Sequence, residues 1–121
     1  MCNLDVIDRS VLDSLRELQD EDQRDIVAEL AELFAADGAA RLVALKQAIE
    51  DADAGRLERE AHALKSSCAN LGAKQMSLLC LKLEMLGRAG VVKGTAALLS
   101  QLCGEFDRAR HALEAEISSP V

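Results

Sequence analysis

A chain of 121 residues with two phenylalanines, no tyrosine or tryptophan and one proline is sized for one domain, and its abundance of Leu, Ala, Glu and Arg suits helices over sheets. A net charge of −7 argues against the basic stripe that a nucleic-acid binder uses to displace phosphate counterions. No apolar run approaches the roughly 20 residues that cross a bilayer, and MCNLDVIDRS lacks the basic-then-apolar order of a signal peptide, so the expectation is a cytoplasmic protein with no nucleic-acid or membrane partner.

In chain order, Asp8 is placed to cap a short first helix over 8–18, whose Val11, Leu12, Leu15 and Leu18 form one apolar edge lidding a bundle. The polar cluster Gln19 to Asp22 breaks the pattern. A long helix over 22–51 follows, with Ile26, Leu30, Leu33, Phe34, Leu42, Leu45 and Ile49 on one face and Gly38 among them, marking a local bend or a close helix crossing. Asp51 and Asp53 close that helix and open the next, over 54–71, which Gly72 ends in a left-handed residue. The segment 73–88 is apolar on most sides, with Lys74, Ser77, Glu84 and Arg88 on one polar stripe that alone reaches water. It therefore reads as a central helix. Gly87, Gly90 and Gly94 mark a loop, and Thr95 caps a last helix over 95–117 that turns Leu99, Leu102, Phe106, Ala109 and Leu113 inward.

Short connections between consecutive amphipathic helices make antiparallel neighbours. The predicted fold is all-α, an antiparallel up-and-down four-helix bundle with an additional short N-terminal helix, in a single domain over 1–121. One apolar face per helix, consumed by the bundle, predicts a monomer. Cys2, Cys68, Cys80 and Cys103 have neither C-x-x-C spacing nor histidines at metal-ligand spacing, so no metal site is expected. Cys68 and Cys103 read as small core residues and Cys2 as a terminal thiol.

The chemistry concentrates on Leu57 to Gly72, LEREAHALKSSCANLG. Leu57, Ala61, Leu64, Cys68 and Leu71 form one buried helical stripe. His62 faces another way, beside Glu58, Arg59, Lys65, Ser66 and Ala69. An outward imidazole, largely neutral near neutral pH, keeps one ring nitrogen free as a nucleophile. Lys65, three residues on, is placed to neutralise a phosphoryl group arriving there. Glu84, 22 residues on and across one turn, is the candidate to hold the other ring nitrogen. His111, beside Arg108 and Arg110, reads as a plain surface residue.

The run His62, Leu64, Lys65, Ser66, Ser67, Leu71 and Gly72, followed by Leu83, Gly87 and Arg88, resembles the histidine phosphotransfer (HPt) domain of multistep two-component phosphorelays, whose pattern is H-x-L-K-[G/S]-S-x-x-x-[L/I]-G with a downstream L-x-x-x-G-R. Ser66 stands where the family often has glycine. The resemblance implies phosphohistidine at His62, charge stabilisation by Lys65, and Glu84 where the family commonly keeps a Gln or Glu near the histidine. It further implies partner contacts through Arg59, Ser66, Ala69 and Arg88, with support of the site from Ser67, Gly72 and Gly87. The implied partners are a response-regulator receiver domain and a hybrid sensor histidine kinase. Mg²⁺ is expected only on the receiver, with no cofactor here and no ATP-dependent kinase activity of the chain's own. A non-phosphorylated helical adaptor docking through the same face is the rival reading. A cofactor-binding bundle would need E-x-x-H ligand pairs, which the sequence lacks, and a kinase would need a phosphate-cradling glycine loop.

Overall fold

Short turns set the topology. The computed structural model describes residues 7–17 and 26–117. It contains α1 (Arg9–Glu17), α2 (Ile26–Glu50), α3 (Ala54–Asn70), α4 (Lys74–Arg88) and α5 (Thr95–Ile117), with no strand among the described residues. Residues 51–53 reverse the chain between α2 and α3. There Ala52 takes a left-handed φ of 53°, Asp53 N–H donates to the Ala48 carbonyl at 2.8 Å, and the Asp53 carboxylate accepts from Arg56 N–H at 3.0 Å to cap α3. Between α3 and α4, Gly72 has φ 71°, and a Cβ on it would lie 2.6 Å from that of Asp8, so both backbone and space demand glycine. Asp8 caps α1 through Ser10 N–H at 3.0 Å. It also ties α1 across the α3–α4 turn, its N–H donating to the Gly72 carbonyl at 3.0 Å and its carboxylate meeting Lys74 Nζ at 3.2 Å. Ser10, and then Lys74, hold the Asp8 carboxyl below its usual range. Leu18 and positions 22–25, where the sequence extends α1 and starts the second helix, fall outside the described residues, as does Cys2.

α2, α3, α4 and α5 pack in a ring, each against the next, with α1 against α2. The core holds the whole predicted stripe of α3, with Leu57, Ala61, Leu64 and Cys68 fully buried and Leu71 nearly so, together with Leu45, Met76, Leu83, Leu102, Phe106 and Leu113. Gly38 marks a crossing: a side chain there would collide with the Phe106 ring, which packs on Phe34 with centroids 5.3 Å apart. α2 runs unbroken through it.

Several expectations change. Leu33 is not on the core face of α2 but 67% exposed, because the buried line runs through Val27, Ala31, Phe34, Gly38, Leu45 and Ala48. α4 is not central: Leu78, Leu81 and Met85 are 53%, 38% and 58% exposed, whereas Glu84, assigned to the wet stripe, is buried. The premise of the monomer expectation, that no apolar face is left over, fails there. Gly87 belongs inside α4 rather than to the following loop. The Thr95 hydroxyl donates back to the Val92 carbonyl at 2.5 Å, so it closes the preceding turn instead of accepting from a helix N–H. Cys103 is exposed. Cys68 and Cys80 are buried, and the Cys80 thiol is pushed up by its neighbour Cys68 and by burial.

Candidate functional site

Burial of the Leu57–Leu71 stripe fixes the rotation of α3 and hence the direction of His62, whose side chain is 61% exposed. α4 supplies the complementary group because Gly87 lets the two backbones touch: a Cβ there would lie 2.7 Å from Glu58 N and 2.8 Å from the Ala54 carbonyl oxygen. Three residues earlier on α4, one helical turn away, Glu84 reaches under His62.

The Glu84 carboxylate is buried and receives three basic side chains. His62 Nδ1 lies 2.9 Å from Oε2, Arg88 Nη2 donates to Oε2 at 3.1 Å, and Lys65 Nζ contacts Oε1 at 2.5 Å as an ion pair. Lys65 above all, then His62, holds the Glu84 carboxyl below its usual range against the opposing effect of burial. An ionised carboxylate only accepts, so His62 Nδ1 carries the proton and Nε2 keeps its lone pair. Arg88 is itself oriented by Glu58 at 2.8 Å, and that pairing raises the guanidinium pKa. Glu58, Arg59, His62, Glu84 and Arg88 line a depression of about 420 Å³. The arrangement presents a nucleophilic nitrogen at the surface within a group of cations. Among the described residues no three His, Cys, Asp or Glu side chains gather as metal ligands.

Residues 29–114 match the model of the Hpt domain. The chain belongs to the Hpt family. It is 31% identical over 102 residues to histidine-containing phosphotransfer protein 4 of Arabidopsis thaliana, covering 83% of this chain and 80% of that protein. It is 30% identical over 92 residues to multistep phosphorelay regulator 1 of Schizosaccharomyces pombe, covering 73% of this chain but only 31% of that longer protein. The structure of histidine-containing phosphotransfer protein B from Pseudomonas aeruginosa PAO1 superposes with a TM-score of 0.83 at 32% identity, over 91% of this chain and 92% of that one. This Hpt domain therefore serves phosphotransfer in two-component signalling.

Within the Hpt domain, His62, Lys65, Glu84 and Arg88 converge on one point, and Arg59, Ser66 and Ala69 are exposed on the same helix as His62. Ser66 Oγ donates to the His62 carbonyl at 3.2 Å, so its hydroxyl folds onto its own helix. Ser67 stands apart, donating to Asp37 of α2 at 3.2 Å and thereby bracing α3 from the other side. Arg41 of α2 adds a second brace to Glu60 of α3 at 2.8 Å. Gly72 and Gly87 act through the backbone. Sequence reasoning left out Glu58 as the partner of Arg88 and Asp37 as the partner of Ser67. The spacing of Glu58, one turn before His62, was the available signal for the first, and no local signal exists for the second.

Proposed function

We propose that His62 Nε2 is the phosphoacceptor of this Hpt domain, taking a phosphoryl group from the aspartyl phosphate of one receiver domain and passing it to the aspartate of another. The contact between Nδ1 and Glu84 carries the reading, because it fixes the tautomer that leaves Nε2 nucleophilic. In the step, Nε2 attacks phosphorus, the N–P bond forms, and the P–O bond to the aspartyl oxygen breaks with its electron pair leaving on the carboxylate. Glu84 keeps the Nδ1 proton and offsets the charge growing on the ring. Lys65 and Arg88, which share the Glu84 carboxylate with the imidazole, are the cations nearest to the transferred group.

The domain supplies one half of a phosphotransfer site. A receiver brings the acyl phosphate and its own Mg²⁺, and a hybrid sensor histidine kinase feeds the relay. Docking is supported by exposed Arg59, Ser66 and Ala69 around His62, and by Leu33 at the mouth of a groove of about 310 Å³ between α2 and α3. Its seven glycines form no phosphate-cradling loop, so the domain does not phosphorylate itself from ATP. No helix among the described residues is long and apolar enough to cross a membrane, which supports action in the cytoplasm.

The test is to incubate the purified protein with labelled ATP alone, then with a cognate kinase and receiver. Label should appear only in the second case and, as a phosphoramidate, be acid-labile and comparatively stable to base. Labelling by ATP alone, or acid-stable label that survives His62→Gln, would overturn the proposal.

A further inference from the structure

The outer side of α4 carries an apolar row that stays exposed among the described residues. Leu78, Leu81 and Met85 follow one another at three and four residues, all exposed. Beside them a groove of about 450 Å³ runs between α4 and α5, with Leu78 and Leu79 on one wall and Gly104, which adds no side chain, on the other. Lys82 lines the same groove and has no hydrogen bond or ion pair among the described residues. The groove lies away from the His62 site, since Lys82 precedes Glu84 by two residues and so points about 200° around the helix from it, while Leu81 and Met85 form the edge of the row nearer that site.

Charge identifies what fits. Of the cations that α4 exposes, Lys74 is paired with Asp8 at 3.2 Å and Arg88 with Glu58 at 2.8 Å and Glu84 at 3.1 Å, which leaves Lys82 as the one without a partner among the described residues. Across the groove, Glu105 is already paired with Arg108 at 3.1 Å. In a chain of net charge −7, this groove sets an unpaired cation beside an apolar row. We propose that the α4–α5 groove docks an acidic amphipathic helix of a partner protein, its apolar residues covering Leu78, Leu81 and Met85 and a flanking carboxylate meeting Lys82. A second copy of this chain fits worse, because pairing the same face with itself sets Lys82 against Lys82. A nucleic acid would leave the apolar row without a partner.

The test uses the full chain, isotope-labelled for NMR, and two synthetic helical peptides with leucines at matched three- and four-residue spacing, one flanked by glutamates and one by lysines. The glutamate peptide should shift resonances of 75–82 and 101–108 while leaving His62 unmoved, and the lysine peptide should bind at least about tenfold more weakly. Lys82→Glu should invert that preference. The double variant Leu78→Ser/Met85→Ser should lose binding with an unchanged helical circular dichroism spectrum; if it unfolds, Lys82→Glu decides alone. Equal binding of both peptides, binding of neither, or shifts centred on His62 would overturn the proposal. Self-association through α4 in the absence of peptide would also overturn it, assigning the face to a second copy.

Discussion

Two histidines in this molecule share every local property and differ in what lies across from them. His62 and His111 are both exposed, both on long helices, both with basic residues within a turn. Around His111 the charges pair along α5 itself, Arg110 with Asp107 at 3.5 Å and with Glu114 at 3.4 Å, Arg108 with Glu105 at 3.1 Å, and none of these ties engages the ring. Around His62, groups from two helices converge on a single buried carboxylate, and the ring is one of its partners. Surface pairs within a helix are screened by water and contribute little, whereas a carboxylate buried beneath a ring fixes its tautomer. What sets the proposed phosphoacceptor apart from His111 is a second helix.

The sharpest way to break that comparison is to delete each ring. His62→Gln should abolish transferable label, and His111→Gln should leave both its amount and rate unchanged; an equal loss in the two, measured with receiver as donor, would erase the distinction. Next in size is the scaffold behind the site. Leu64→Ala opens a cavity in a fully buried position and should cost about 2–5 kcal/mol in denaturant unfolding, with transfer largely retained at temperatures where the variant stays folded.

Lys65→Ala should slow transfer by about a hundredfold, since it removes a cation from where phosphoryl charge arrives. Unlike a solvated lysine it should also lower stability, by about 1 kcal/mol, because the buried Glu84 keeps only two of its three basic partners. Single-turnover kinetics and denaturation on the same variant read the two effects separately. Acid gives a finer distinction. Glu84 has a folded-state pKa lowered from 4.5, so its stabilising contribution is complete above that value and is lost as pH falls through the folded-state pKa. Glu84→Gln should flatten this acid limb of the stability profile, leaving the part due to Asp8, whose carboxyl is lowered in the same direction. The smallest effect belongs to the other histidine's surroundings: Arg110→Ala should change stability by no more than about 0.5 kcal/mol and leave transfer untouched.

Large apolar residues made much of this legible. The α3 stripe is written in leucines at helical spacing, and its burial dictates where His62 points. Gly72 after Leu71 announced the turn, the motif singled out Lys65 and Arg88, and the place of Glu84 across one turn from His62 made it the candidate to hold the ring. What stayed hidden depended on small residues and on pairing across helices. Ala31, Gly38 and Ala48 line the deepest side of α2, and their lack of bulk made Leu33 look like a core residue. Glu84 reads as a wet residue on any helical wheel, because its burial is created by the Lys65, Arg88 and His62 side chains laid over it, which α4 alone does not encode. Thr95 has the identity of a cap, but the Val92 carbonyl is in reach of its hydroxyl and claims it.

Gly87 touches neither phosphate nor imidazole, yet it works as the fulcrum of the site. Its bare Cα rests on the first turn of α3, and from that point to Glu84 is three residues, about 4.5 Å along the axis. A methyl group at 87 would prise the two backbones apart at the fulcrum and swing the carboxylate away from Nδ1, loosening the contact that places the neutral ring's proton on Nδ1 rather than on Nε2. A substitution that adds one carbon to a hidden position, and changes no charge, would then act as if it had been made on the histidine itself.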